Sequence, residues 1–163
     1  YPFMKKNILA LFSAVLFLFP LNSASGDDTS AKTGLNFTNL RGTWELIYGD
    51  NYGYSFRFDR NYKAIVVLYL NDSSVIFKGV YTIEDVNTLR INISAMKREE
   101  RLKDLDYKEG FVNVKSSYFI FKGRITGSSK AKKLELKADT ISIDGSDSEG
   151  YFEPLIELDY TGK

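Results

Sequence analysis

Apolar and polar residues alternate along most of the chain from Gly42 onward, in short runs that end at Asn, Asp, Gly or Ser. The first run places Trp44, Leu46 and Tyr48 on one side and Thr43 on the other. A repeat of two residues is typical of antiparallel strands that bury only one face. The pattern therefore predicts a chain built from amphipathic strands.

Seven further runs continue this rhythm, and they cover residues 54–58, 63–70, 75–83, 89–95, 115–125, 134–143 and 156–160. The run 63–70 is apolar on both sides, so the sequence alone cannot say which side is buried. The apolar positions shift by one residue at Asp139 and Thr140, which predicts a β-bulge. Because turn residues separate most of the runs, we expect about eight strands in simple succession.

One segment interrupts the rhythm. Residues 97–110, KREERLKDLDYKEG, are dense in charge, with Leu102, Leu105 and Tyr107 as their only large apolar residues. We interpret this segment as an exposed loop with about two helical turns, ended by Gly110. As the longest irregular insertion, it is a candidate lid or contact loop.

A meander of this length has to curl, and closing it into a barrel removes the unpaired strand edges that promote aggregation. We therefore expect an all-β fold, an antiparallel up-and-down β-barrel of about eight strands over residues 39–163. An open two-sheet sandwich is the alternative. A barrel of about eight strands has room inside for side chains or for one small ligand.

The amino-terminal residues follow a different pattern. Residues 1–3 precede the first methionine, and we interpret them as upstream residues. Residues 4–26 combine a basic start, an apolar run and small residues, which is typical of a signal peptide cleaved before Asp27. A short membrane anchor is the alternative interpretation. Residues 27–38, rich in Ser, Thr, Asp and Gly, are expected to form a flexible leader, and we expect a secreted or periplasmic protein without stable membrane insertion.

Composition excludes several kinds of chemistry. The chain contains no histidine and no cysteine, which removes Ser-His-Asp sites, Cys-His sites and ordinary zinc sites. Its 22 Lys and Arg residues balance 21 Asp and Glu residues, which argues against nucleic-acid binding. A pair of carboxylates for glycosidase-like catalysis cannot be placed from the sequence. We expect neither an enzyme nor a bound metal or cofactor.

Three short motifs resemble a known family. The stretches LRGTWE, YSFRFDRNYKA and FKGVYTIEDVNTLRI, within residues 40–95, are similar in order to bacterial lipocalin-like domains, whose barrel opens with G-x-W. The resemblance implies a barrel of the lipocalin/calycin type, in which Gly42 bends the chain and Trp44 plugs the closed end. Gly79 and Tyr81 form a second matching pair. A role for Trp44 as a ligand-stacking platform is the alternative interpretation.

Aromatic residues supply the candidate ligand-binding site. The positions expected to face inward are Trp44, Tyr54, Phe56, Phe58, Phe77, Tyr81, Phe119 and Phe121. They would line an apolar pocket in a barrel that is open at one end, or fill the interior of a packed barrel. We therefore expect an exported protein that binds a small, mostly apolar ligand. The alternative is a packed barrel that binds or inhibits an envelope or host protein through its loops.

Overall fold

The computed structural model of the protein describes residues 32–100, 110–148 and 150–162. Within these residues, one short helix, α1 (Phe37–Leu40), precedes nine strands: β1 (Gly42–Tyr48), β2 (Tyr52–Phe58), β3 (Lys63–Leu70), β4 (Ser73–Asp85), β5 (Thr88–Glu100), β6 (Val112–Ser128), β7 (Ala131–Ile143), β8 (Ser146–Asp147) and β9 (Leu155–Gly162). The predicted upstream residues 1–3, the predicted signal peptide 4–26 and the first part of the leader lie outside the described residues. No helix in the described ranges is long and apolar enough to cross a membrane.

The strands form one closed antiparallel sheet. Strands β1 to β7 pair in chain order, and β9 pairs with both β7 and β1. These eight strands make an up-and-down barrel, and β8 adds a two-residue strand to β7. The predicted all-β barrel is confirmed. Because each strand of the ring has a neighbour on both sides, closure protects its backbone groups from edge-to-edge pairing.

The tertiary structure decides the orientation of β3, which the sequence left open. Ala64, Val66 and Leu68 are buried inside the barrel, whereas Ile65 and Val67 are half-buried on the outside. Alternate side chains of a strand point to opposite faces of the sheet. The second apolar face of β3 therefore covers the outer surface of the barrel.

The parity shift in β7 is a β-bulge, as predicted. Ile120 of β6 pairs with Thr140, but the next residue of β6 pairs with Ala138, so that Asp139 is the extra residue. An extra residue in one strand reverses the side on which all later residues point. The bulge thereby lets Leu136 and Ile141, an odd number of residues apart, both face the interior.

The segment before β1 packs on the barrel from Thr33 onward, which corrects its prediction as part of a flexible leader, residues 27–38. The backbones of Thr33 and Ile125 exchange hydrogen bonds of 2.8 and 2.9 Å. Leu35 is only 3% exposed, and its N–H donates to the carbonyl of Val86 at 2.6 Å. The side chain of Asn36 then caps α1. A single leucine has no periodic partner, so its burial leaves no local signal in the sequence.

The charged segment 97–110 begins as a strand, which corrects its prediction as a loop throughout. Residues 97–100 continue β5 and pair with residues 73–76 of β4. Main-chain pairing needs no apolar face, so a charged stretch can extend a hairpin into solvent. Residues 101–109, to which the sequence assigned helical turns, lie outside the described residues.

Residues 33–40 cover one end of the barrel, here called the closed end, and Trp44 fills it from inside. The indole of Trp44 is fully buried, its Nε1–H donates to the carbonyl of Leu40 at 2.7 Å, and its ring lies 5.0 Å from that of Tyr160. The opposite end, where the β1–β2 and β3–β4 turns lie, is called the mouth. Trp44 therefore occupies the position that the G-x-W resemblance implies.

Gly42 begins β1 in a conformation that other residues rarely adopt. Its φ is +124°, and a Cβ atom there would lie 2.5 Å from Cε2 of Tyr160 and 2.6 Å from the carbonyl oxygen of Gly162. The chain can therefore enter β1 beside β9 only if this residue has no side chain. The second matching glycine, Gly79, also lies against backbone, since a Cβ atom there would be 2.0 Å from the carbonyl oxygen of Asn92.

We predict that Gly42→Ala lowers the free energy of unfolding by about 2–5 kcal/mol, because it adds both backbone strain and a steric clash. The matched control is Gly49→Ala in the β1–β2 turn, where φ is +46° and a Cβ atom meets nothing within 4 Å. That change should cost about 1–2 kcal/mol. Urea unfolding of both variants measures the difference, and equal losses would contradict the role given to Gly42.

Candidate functional site

The eight predicted aromatic positions all lie on the inward side of their strands. Seven of them are at most 2% exposed, namely Trp44, Phe56, Phe58, Phe77, Tyr81, Phe119 and Phe121. Tyr54 is half-buried near the mouth. The barrel therefore has an aromatic-lined interior.

Phe152, which the sequence analysis did not single out, joins this cluster from a loop. It belongs to the connection from β8 to β9, whose described residues, 148 and 150–154, lie across the mouth and are called the plug loop. Its ring is 6% exposed and lies 5.2 Å from the rings of both Phe119 and Phe121. The rings of Phe56 and Tyr54 follow at 5.9 and 5.7 Å. The available signal was an aromatic pair, Tyr151 and Phe152, in an otherwise polar connection.

Phe152 connects ring contacts that run from the mouth towards the closed end. Beyond Phe152, Phe119 lies 5.0 Å from Phe77, and Phe58 lies 5.0 Å from Tyr81, with their planes close to perpendicular in both pairs. Edge-to-face contacts of this kind stabilise a core by about 0.5–1.5 kcal/mol each beyond the burial of their area. Rings from several strands and one loop therefore share the same interior space.

Two hydrogen bonds involving Glu153 hold the plug loop at the mouth. The backbone N–H of Glu153 donates to the hydroxyl of Tyr54, and the hydroxyl of Tyr48 donates to Oε2 of Glu153, both at 3.1 Å. Gly150, within the same loop, has a φ of +105° and no obstacle near its Cβ position. The plug loop is thus held by contacts at the exposed rim, whereas the strands are held by continuous ladders.

Two tyrosines at the mouth, Tyr48 and Tyr54, have raised pKa values. Burial is the largest effect on Tyr54 and raises its pKa. The hydrogen bond from the Glu153 N–H lowers this pKa, whereas the charge of Glu153 raises it. Partial burial raises the pKa of Tyr48 as well, and the hydrogen bond to Glu153 and its charge act in the same direction. The two tyrosines that form hydrogen bonds with Glu153 therefore both have raised pKa values.

A cavity of about 170 Å³ opens at the mouth, beside the plug loop. It is lined by Tyr48, Tyr52, Gly53, Tyr54, Leu68, Tyr69, Leu70, Gly150, Tyr151 and Glu153. A second cavity, of about 520 Å³, lies on the outer face of β2 to β5 between Arg57, Lys63 and Lys78. The mouth cavity adjoins the aromatic interior at Tyr54 and Leu68, whereas the outer one lies on the other side of the sheet.

Within the described residues, no group of three or more acidic side chains is placed to hold a metal ion. Two acidic residues at turns accept hydrogen bonds from backbone N–H groups. Asp59 accepts hydrogen bonds from the N–H groups of Asn61 and Lys63, and Asp85 accepts one from that of Asn87. Such bonds are typical of Asx turns.

Comparison with known proteins yields no relative, since no family model, no curated protein and no solved structure matches this chain. The lipocalin-like resemblance of residues 40–95 therefore stays a prediction. The site has to be interpreted from its own geometry.

We predict that Tyr81 makes the folded state sensitive to alkali. Tyr81 is 2% exposed and its hydroxyl donates to the carbonyl of Asp59 at 3.1 Å. Burial, followed by the Asp59 charge, raises its pKa above the ordinary value of 10.0. The unfolded chain loses this proton at a lower pH than the folded one, so the stabilisation is complete below pH 10 and is lost as pH rises through the folded pKa.

Urea unfolding of the protein and of Tyr81→Phe between pH 8 and pH 11 measures this effect. The free energy of unfolding should fall more steeply above about pH 10 in the parent protein than in the variant. Identical slopes would show that Tyr81 keeps its ordinary pKa.

Proposed function

We propose that this protein binds a small, mostly apolar molecule in the aromatic interior of the barrel, and that the ligand displaces the ring of Phe152. One observation carries the proposal. Among the buried rings of the described residues, Phe152 alone comes from a loop, and that loop lies across the mouth. Its ring can therefore leave the interior without breaking the strand pairing that holds the barrel together.

The energetics of this exchange are favourable for an apolar ligand. Exposing a phenylalanine side chain costs about 1.5–3 kcal/mol. Each of the two rim hydrogen bonds of Glu153 adds about 0.5–1.5 kcal/mol. Burial of apolar ligand surface contributes about 25 cal/mol per Å². A ligand that buries more apolar area than one phenyl ring therefore offsets the cost of exposing Phe152 and the cost of breaking the two hydrogen bonds. The plug loop would thus lower the apparent affinity without preventing binding.

The surroundings of Phe152 indicate which ligands fit. Phe56, Phe119 and Phe121 meet its ring at angles of 43°, 72° and 85°, which suits a flat, apolar group. The hydroxyl of Tyr54, which now accepts a hydrogen bond from the plug loop, becomes available to a polar group when the loop moves. We infer a ligand with an apolar ring and a polar end directed towards the mouth. The proposed function is binding without chemical conversion.

The resemblance to bacterial lipocalin-like domains supports this proposal, because it implies the same type of barrel with one closed end. The signal-like pattern of residues 4–26 supports a further proposal, that the protein acts after export, in the periplasm or outside the cell. Both rest on the sequence.

We predict that Phe152→Ala strengthens the binding of apolar ring compounds and also weakens the fold by about 3–5 kcal/mol. Affinity should rise because the ligand no longer competes with a ring of the protein itself. Titration with retinoids, fatty acids and naphthalene derivatives, followed by the emission of Trp44 and by calorimetry, measures the effect.

The matched control is Phe119→Ala, which removes a ring of the same size from a strand and leaves the plug loop closed. It should weaken the fold by a similar amount without the gain in affinity. Equal gains in both variants would show that binding only fills an artificial cavity. Absence of binding to the parent protein across the panel would contradict the proposed function.

A second function, protein binding, is favoured by the exposed apolar side chains at the mouth. They are between 43% and 65% exposed and comprise Ile47, Tyr48, Tyr52, Leu70 and Val112. Exposed apolar clusters of this kind often mark contact surfaces. The connection between β5 and β6 leaves the barrel at the same end.

If the β5–β6 connection binds a protein, replacing residues 101–109 by a short Gly-Ser linker should abolish capture of that protein from envelope extracts. The replacement spares residues 97–100, because these pair with β4 and support the sheet. A variant with Leu70→Ser alone tests the opposite side of the rim. Unchanged capture by both variants would contradict this second function.

A further inference from the structure

The mouth cavity has a chemical character different from that of the interior. Five tyrosines, namely Tyr48, Tyr52, Tyr54, Tyr69 and Tyr151, line it together with the carboxylate of Glu153. The negative face of an aromatic ring attracts a cation that lies within about 6 Å of its centre. A carboxylate at the same site adds a full negative charge. Several ring faces around one acid are the usual means of holding an organic ammonium group.

The charge of the surrounding rim points in the same direction. The described residues of the β1–β2 turn, the β3–β4 turn and the connection from β7 to β9, namely 49–51, 71–72, 144–148 and 150–154, contain five acidic residues and neither Lys nor Arg. Lys97 and Arg98 belong to β5, which is separated from β3 by one strand, β4. A positively charged ligand is therefore favoured on the side of the mouth where the tyrosines lie.

We propose that the mouth cavity binds an organic ammonium group, with Tyr48, Tyr52, Tyr54 and Tyr151 as its aromatic walls and Glu153 as its counter-ion. The volume of about 170 Å³ suits one small group, since pockets that enclose a whole drug-sized ligand measure roughly 300–1,000 Å³. A quaternary ammonium fits better than an ammonium with N–H groups, because its methyl groups contact ring faces and need no hydrogen-bond acceptors.

This site is present while Phe152 fills the interior, so it does not depend on the proposed interior function. The hydroxyl of Tyr48 already donates to Oε2 of Glu153, which fixes the carboxylate at the wall of the cavity. Because the pKa values of Tyr48 and Tyr54 are raised, both residues contribute ring faces and hydroxyl groups to the site, and Glu153 contributes the charge. The plug loop contributes Glu153 and Tyr151, and a cation bound there would hold that loop closed.

The direct test compares choline with its uncharged tert-butyl analogue, which has nearly the same shape. Calorimetric titration of the full protein should show that choline binds at least about tenfold more tightly than the analogue. Sodium chloride at the same concentration is the control for ionic strength. Equal affinities for choline and the analogue, or no detectable binding of choline, would overturn the proposal.

Substitutions locate the binding site. Glu153→Gln removes the charge but keeps an oxygen for the hydroxyl of Tyr48, and it should weaken choline binding about fivefold. Glu157→Gln in β9 removes an equal charge outside the cavity, and it should leave the affinity unchanged. An equal effect of both variants would show that only the net charge matters, which would overturn the assignment of Glu153.

The aromatic wall is tested at Tyr52, which is 52% exposed, so that its replacement does not disturb the core. Tyr52→Phe should keep choline binding, whereas Tyr52→Leu should weaken it several-fold because the leucine offers no ring face. Tyr62→Leu is the matched control, since Tyr62 is also 52% exposed but lies in the β2–β3 turn at the closed end. Full binding by Tyr52→Leu would contradict the role of the rings.

The ammonium group could belong to a free small molecule or to a lipid headgroup. Cosedimentation with vesicles of pure phosphatidylcholine distinguishes these sources once choline binding is established. Protein that stays in the supernatant indicates a free ammonium compound. Protein that pellets, and that choline releases, indicates a headgroup. Titration of the same protein with the apolar panel separates the two proposals, because binding of choline without binding of the panel would support the mouth site alone.

Discussion

The pairing of β9 with both β7 and β1 is the interaction on which the rest of the structure depends. It closes a meander of neighbouring strands into a ring, and only in a ring do the inward faces of distant strands meet. Phe56 and Phe121, from β2 and β6, come within 5.6 Å of each other across the barrel for this reason. Closure also protects the backbone groups of an all-β chain without disulfides, whose stability has to come from burial alone.

Closure leaves two ends, and the protein covers them in different ways. At the closed end, Trp44 is tied to the helix that precedes β1 by a buried hydrogen bond, and residues 33–35 pair with the neighbouring backbone. At the mouth, the plug loop is held by the ring of Phe152, by two exposed hydrogen bonds of Glu153 and by the bond from the N–H of Ser148 to the carbonyl of Ile141. Fewer contacts have to break at the mouth than at the closed end. Local opening of the barrel is therefore expected to begin at the mouth. In the proposed function, the ligand therefore enters the barrel through the mouth.

The two proposed sites at the mouth end favour different ligands, one apolar and one positively charged. The interior around Phe152 is dry and aromatic, so it favours apolar area. The mouth cavity is partly exposed and contains one carboxylate among several tyrosine rings, so it favours a positive charge. Because the plug loop supplies both Phe152 and Glu153, occupation of one site would affect the other through the position of this single loop.

The sequence by itself determined the strands and their inward faces. The alternation around Trp44 and Phe56, the turn residues and the parity shift at Asp139 are local properties of the chain, so they predicted the strands, the barrel and the bulge. The burial of Leu35 and Phe152 was decided only by the tertiary structure, as was the extension of β5 through Glu100. Both buried residues lie in short polar segments without a repeat, and their environment consists of residues far away in the chain. Such contacts exist only after the ring of strands has closed, so no periodic pattern predicts them, and the aromatic pair of Tyr151 and Phe152 is the one local signal.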